Sequence, residues 1–112
     1  METKEVLAAL SALAQESRLA TYRLLVQAGP QGMSPGKISE QLDIPASSLS
    51  FHLKELTHAG LVTPTQAGRF VVYAANFGTM HSLLGFLTEN CCGGTPCETV
   101  CKPVDGVAGV AP

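Results

Sequence analysis

Between residues 34 and 60 the chain carries two amphipathic helical patterns separated by a short break, and this pairing constrains its fold more than any other feature. The first pattern opens at Ser34, a hydroxyl suited to accept from the open N–H groups of a helix start, and continues with Pro35, whose fixed φ fits the first helical position. Ile38 and Leu42 then recur one turn apart. Asp43-Ile44-Pro45 breaks the backbone, because a proline disfavours helical geometry in the residue before it. The second pattern, over about residues 45–59, aligns Leu49, Leu53 and Leu56 and meets Gly60, suited to a left-handed cap. Two short helices across a tight turn are the sequence form of a helix-turn-helix.

The flanking periodicities extend this unit. Val6, Leu7, Leu10 and Leu13 share one helical face, and a helix over about residues 17–28 presents Leu19, Tyr22, Leu25 and Val26 before Gly29-Pro30 stops it. After Gly60 the character becomes that of strands: residues 61–65 and 69–73 are rich in β-branched and aromatic side chains, with Gln66-Ala67-Gly68 as the turn between them. Pro64 suits an edge strand, where no ladder partner needs its missing N–H. A last helix over about residues 77–89 aligns Met80, Leu83, Leu84 and Leu87. The order helix, helix, helix-turn-helix, hairpin, helix predicts a mainly α protein with a β-hairpin wing (α+β), a winged helix-turn-helix with an added terminal helix. The first and last helices have apolar faces beyond the needs of that core. They predict a homodimer that sets two recognition helices on one face of a pseudo-palindromic duplex.

A length of 112 residues allows one domain with a modest core. The formal charge of −2 excludes a strongly electrostatic nucleic-acid binder, so any DNA affinity must come from shape and a few placed groups. Acids at Glu2 and Glu5 stand where a signal peptide needs a basic start, and no stretch is long enough to span a membrane. The expected compartment is the cytoplasm, where thiols stay reduced. With no nucleotide loop, catalytic triad or paired carboxylates, the chain reads as a binding module rather than an enzyme, and no organic cofactor is expected.

On the fourth helix the wheel centred on Leu49, Leu53 and Leu56 turns Ser47, Ser48, Ser50, Phe51, Lys54 and His58 to the other side. Small hydroxyl residues let a helix start approach base edges and phosphates closely, and Lys54 supplies charge. Taken alone, the serines read first as a solvated helix start. Phe51 is different, since an aromatic on a solvent face calls for cover; thymine methyls and sugars would provide it, as would packing beneath the hairpin. His52 lies nearer the apolar side and is expected to be a hydrogen-bonded structural residue. Gln66 and Arg69 flank the hairpin tip, where a wing meets the minor groove or the phosphates.

All four cysteines, Cys91, Cys92, Cys97 and Cys101, fall in residues 91–101, around Gly93-Gly94 and Pro96. Thiols gathered on a flexible turn make a multidentate soft-ligand cluster. Such a cluster suits a soft, thiophilic ion. A four-cysteine zinc site and a thiol–disulfide switch are the competing readings, the first lacking its usual paired C-x-x-C spacing. The chain thus divides into a DNA-binding and dimerisation domain over residues 1–90, a cysteine-rich segment over 91–101, and a tail over 102–112 without periodicity, expected to be mobile.

Residues 13–25 (LAQESRLATYRLL), 48–56 (SLSFHLKEL) and 59–62 (AGLV) resemble the ArsR/SmtB family of metalloregulatory repressors, a resemblance covering about residues 5–90. Residues 86–92 (FLTENCC) look more narrowly like an arsenic-responsive branch with its inducer site just after the last helix. The resemblance implies a homodimeric winged-helix repressor that leaves double-stranded operator DNA when As(III) or Sb(III) binds. By resemblance and by the turn that Gly93-Gly94 permits, Cys91, Cys92 and Cys97 form the triad, with Cys101 as alternative or auxiliary ligand. A zinc-, cadmium- or redox-responsive repressor of the same fold is the alternative, and a thiol-dependent arsenic reductase or metallochaperone leaves the helix-turn-helix unexplained. The family's other site positions are disfavoured: no cysteine stands near the start of the helix-turn-helix, and only His81 occupies the last helix where zinc sensors pair His with carboxylates.

Overall fold

In the computed structural model, which describes residues 1–94, five α-helices and one hairpin follow in the predicted order. They are α1 (Thr3–Leu13), α2 (Glu16–Ala28), α3 (Pro35–Leu42), α4 (Ala46–His58), β1 (Val62–Ala67), β2 (Phe70–Ala75) and α5 (Phe77–Leu87), followed by a 3₁₀ turn at Cys91–Gly94. This is a winged helix-turn-helix.

Local chemistry sets most element ends. Ser34 Oγ accepts from the Lys37 N–H at 3.3 Å with Pro35 behind it, as the sequence predicts, while Gln15 Oε1 and Asn76 Oδ1 perform the same service for α2 and α5. Asp43 ends α3 in a left-handed conformation with φ of 54°. The turn that follows is clamped by Ser39, whose hydroxyl donates to Ile44 O while its carbonyl accepts from the Ile44 N–H at 3.2 Å. At the end of α4 the Gly60 N–H donates to Thr57 O and the Leu61 N–H to Leu56 O, both at 3.0 Å, with Gly60 left-handed at φ of 77°. These two bonds form a Schellman motif. Because Leu56 and Leu61 are both fully buried, the motif fixes the direction in which the hairpin leaves the recognition helix.

The strands pair antiparallel with Val62 opposite Ala75 and Ala67 opposite Phe70, so the turn is Gly68-Arg69 rather than Gln66-Ala67-Gly68. Only Gly68 of that pair has positive φ, and a two-residue loop with glycine first closes a right-twisted hairpin without splaying it. Strand pairing therefore runs further toward the tip than composition suggests. On its other side β2 bridges to Met33, with Met33 and Tyr73 exchanging two backbone bonds of 2.9 Å. Pro64 lies opposite Tyr73, whose N–H points away toward Met33. The ladder asks no N–H of residue 64 there, and β1 is an edge strand as expected.

The core joins Val6, Ala9 and Ala12 of α1 to Tyr22, Leu25, Ile38, Leu49, Leu53, Leu56, Leu61, Val62, Ala75 and Leu83. Each fully buried leucine contributes about 1.5–3 kcal/mol of apolar transfer. The core side of α1 is Val6, Ala9 and Ala12, while Leu7 and Leu10 stay 60% and 39% exposed, on the apolar face that the sequence predicts beyond the needs of the core. Leu19 on α2 is likewise turned out, whereas Thr21 is buried with its hydroxyl donating to Ser17 O at 2.8 Å.

Candidate functional site

Two surfaces carry the chemistry of the described residues: the outer face of α4 with the adjoining hairpin, and the turn after α5. On α4 the buried Leu49, Leu53 and Leu56 orient the helix, and Ser47, Ser48, Ser50, Phe51, Lys54 and His58 are all exposed, as the helical wheel predicts. Phe51 is 55% exposed, so packing beneath the hairpin does not account for it. Pro45 precedes the helix and supplies no side-chain cap, which leaves the first N–H groups facing outward, where they suit a phosphate oxygen.

His52 departs from expectation. Its ring is half-buried and meets Phe51 edge-on, with centroids 5.9 Å apart and planes at 61°, but buried Nδ1 has no hydrogen-bond partner among the described residues. Burial, and then the nearby Arg18 guanidinium, hold its pKa below the ordinary histidine value. The neutral ring is the form that fits. Arg18 is itself anchored, its Nε donating to Ala12 O at 2.7 Å. The buried hydroxyl of Tyr22 likewise has no partner among the described residues, and burial raises its pKa.

At the hairpin tip Gln66 and Arg69 are exposed, but Gln66 Nε2 donates to Gly68 O at 3.0 Å and so braces the turn. Arg69 stands in the turn itself. Sequence reasoning missed the residue beside it: Phe70 is 70% exposed. Strand alternation was the available clue, since it puts Phe70 on the face opposite Tyr73 and Ala75.

After α5 the Thr88 hydroxyl donates to Leu84 O, and the Cys91 N–H donates to Thr88 O at 3.0 Å. Left-handed Asn90 and Cys92, with φ of 57° and 56°, then curl the chain so that the sulfurs of Cys91 and Cys92 lie 3.8 Å apart. Cys91 is half-buried and Cys92 exposed. Cys97, Cys101 and the tail over 102–112 lie outside the described residues, among which no three His, Cys, Asp or Glu side chains converge as a metal site. His81 is exposed on α5. No helix among the described residues is long and apolar enough to cross a membrane.

A helix-turn-helix domain model matches residues 13–65. The chain is 35% identical to an uncharacterized HTH-type transcriptional regulator, YceK, of Bacillus subtilis (strain 168), over 68% of this chain and 76% of that protein. Among solved structures, an ArsR-like transcriptional regulator from Rhodococcus sp. RHA1 superposes with a TM-score of 0.72 at 22% identity, covering 81% of this chain and 83% of that one. A possible transcriptional regulator for arsenical resistance superposes at 0.61 with 29% identity, over 70% and 79% of the two chains. The homodimeric winged helix-turn-helix domain Mb0332 of Mycobacterium bovis, a possible ArsR-family regulator, does so at 0.61 with 21% identity, over 84% and 87%.

Proposed function

The chain belongs to the HTH-type transcriptional regulators and has the winged-helix fold of their ArsR-like members, and from that membership we propose that it is a homodimeric repressor released from operator DNA by trivalent arsenic or antimony. Its fold and relatives are those of DNA-binding regulators, not of enzymes. DNA reading falls to the exposed face of α4: Ser47, Ser48, Ser50 and Phe51 meet base edges and sugars, Lys54 meets phosphate, and Gln66 and Arg69 sit at the wing. Dimerisation falls to α1 and α5, which pack together and leave Leu7, Leu10, Leu84 and Leu87 outward. A protomer gains nothing from four exposed leucines. A second copy covering them removes that surface from water.

The observation that carries the inducer reading is the pair of thiols held 3.8 Å apart on a left-handed turn directly after α5. Two adjacent sulfurs supply two corners of a pyramidal three-thiolate site, and Cys97 supplies the third, with Cys101 as alternative or auxiliary. The likeness to a possible regulator for arsenical resistance supports the same ligand class. Binding affects DNA only through a difference in affinity between the two dimer arrangements. Drawing residues 91–97 around an ion pulls on the last turn of the dimer helix, which supplies such a difference. The protein acts in the cytoplasm, where the thiols are reduced.

The test is operator release followed by fluorescence anisotropy under reducing conditions, with a duplex from upstream of the protein's own gene and a titration of arsenite. Wild type should dissociate. Cys91→Ser, Cys92→Ser and Cys97→Ser should bind DNA but stay bound, while Cys101→Ser should respond almost normally. Release persisting in both Cys91→Ser and Cys92→Ser would eliminate the site. Loss of DNA binding in metal-free Cys92→Ser, or failure of Cys101→Ser alongside the other three, would point to a structural zinc cluster instead.

A further inference from the structure

We propose that Phe70 is an apolar minor-groove contact, inserted beside Arg69 at each outer flank of the operator; this rests on the DNA-binding reading above. The ring is 70% exposed, the most exposed of the chain's large apolar side chains among the described residues. Its place in the hairpin explains why none of the described residues covers it. Phe70 closes the turn opposite Ala67, whose methyl group is too small to shield an aromatic ring, and it lies on the face turned away from Tyr73 and Ala75. The fold does not require it, since β2 is held by the Met33 bridge and by the buried Ala75, both further from the tip.

Charge identifies the partner. No carboxylate occurs between Glu55 and Glu89, although the whole chain is acidic, and Arg69 is the only charged side chain of the hairpin. A phenylalanine beside one arginine, on an acid-free projection braced by the bond from Gln66 to Gly68, suits a surface that is anionic at its edges and apolar within. The minor groove is such a surface: phosphates line its rims, sugars form its walls, and apolar side chains enter it as wedges between or against base steps. A chain with so few cations needs contacts of this kind to reach useful affinity. The wing is aimed by the Schellman turn that joins it to α4, so seating α4 in the major groove carries the tip toward the adjoining minor groove.

The experiment uses the full chain and a duplex selected by the wild-type protein from a random-sequence pool, in two forms: ordinary, and with 2,6-diaminopurine replacing adenine in the outer flanks. That base adds an amino group to the minor groove and leaves the major-groove edge unchanged. Phe70→Ala should bind the ordinary duplex about tenfold more weakly, the size of one lost base-pair contact, with an unchanged salt slope. Arg69→Ala should lower the slope by about one. The diaminopurine penalty should be clearly smaller for Phe70→Ala than for wild type. Equal penalties, or wild-type affinity in Phe70→Ala, would overturn the proposal and leave the DNA-binding reading standing, whereas a wild-type protein that selects no duplex would overturn both. A weakened dimer in Phe70→Ala, seen by sedimentation without DNA, would assign the ring to a protein contact instead.

Discussion

Gly32→Ala tests how the wing is held to the helical body. Gly32 has φ of 72°, and a Cβ built there would lie 2.5 Å from Tyr73 O, a backbone atom that cannot rotate aside. Tyr73 must therefore move, and it is the residue that exchanges two 2.9 Å bonds with Met33. A left-handed side-chain-bearing residue costs about 1–2 kcal/mol. Two backbone bonds lost to displacement cost about 1 kcal/mol each in net terms. The sum is about 3–4 kcal/mol, a large share of the roughly 5–15 kcal/mol that holds a domain together. Gly68→Ala is the control, because its φ is 66° but nothing lies within 4 Å of the added methyl. It should lose only the conformational part, about 1–2 kcal/mol. Any loss of unfolded-chain entropy is common to both variants and cancels in the comparison. Urea unfolding followed by circular dichroism, at one fixed protein concentration because the proposed dimer would couple to folding, should separate the two by about 2 kcal/mol. A difference below about 0.5 kcal/mol would show that the Met33–Tyr73 bridge contributes little and that the steric reasoning is wrong.

Leu84→Glu and Leu87→Glu should yield folded monomers by sedimentation, because both side chains are more than half exposed in the protomer; a dimer surviving both would place the interface elsewhere. Lys54→Ala should lower the salt slope of DNA binding by about one, while Phe51→Ala should leave the slope alone and change which sequences are preferred. An unchanged slope in Lys54→Ala would remove that residue from the phosphate contacts. His52 should make the fold acid-sensitive. Its folded pKa lies below the unfolded value, so its contribution is present above about pH 6.5 and is lost as pH falls through the folded pKa. His52→Asn should flatten the stability profile over that interval; a profile as steep as that of wild type would assign the acid sensitivity to other groups.

The helix-turn-helix was legible because its information is local. Ser34-Pro35, the break at Asp43-Ile44-Pro45, the leucines at 49, 53 and 56 and the cap at Gly60 each act within a turn or two of backbone, and each stands where the periodicity put it. Local signals were weaker where two structures share a composition. Gln66 and Ala67 read as a turn from their neighbours, but cross-strand pairing extends the ladder through them and leaves two residues for the loop. The exposed face of α4 was also readable from the wheel, although whether Phe51 faced outward or lay beneath the hairpin depended on where the hairpin goes.

Periodicity determined that α1 and α5 have apolar sides; only the tertiary structure decided which apolar residues face inward. On α1 the core took Val6, Ala9 and Ala12 and left Leu7 and Leu10 outside. The lack of a partner for His52 Nδ1 among the described residues and the outward ring of Phe70 depend in the same way on atoms distant in sequence. The sequence by itself determined the helices, their caps, the strand character after Gly60 and the clustering of the thiols, all set by neighbours within a few residues. Which side chains stay exposed was decided when those elements packed, since burial is a property of the space between elements and not of any one of them.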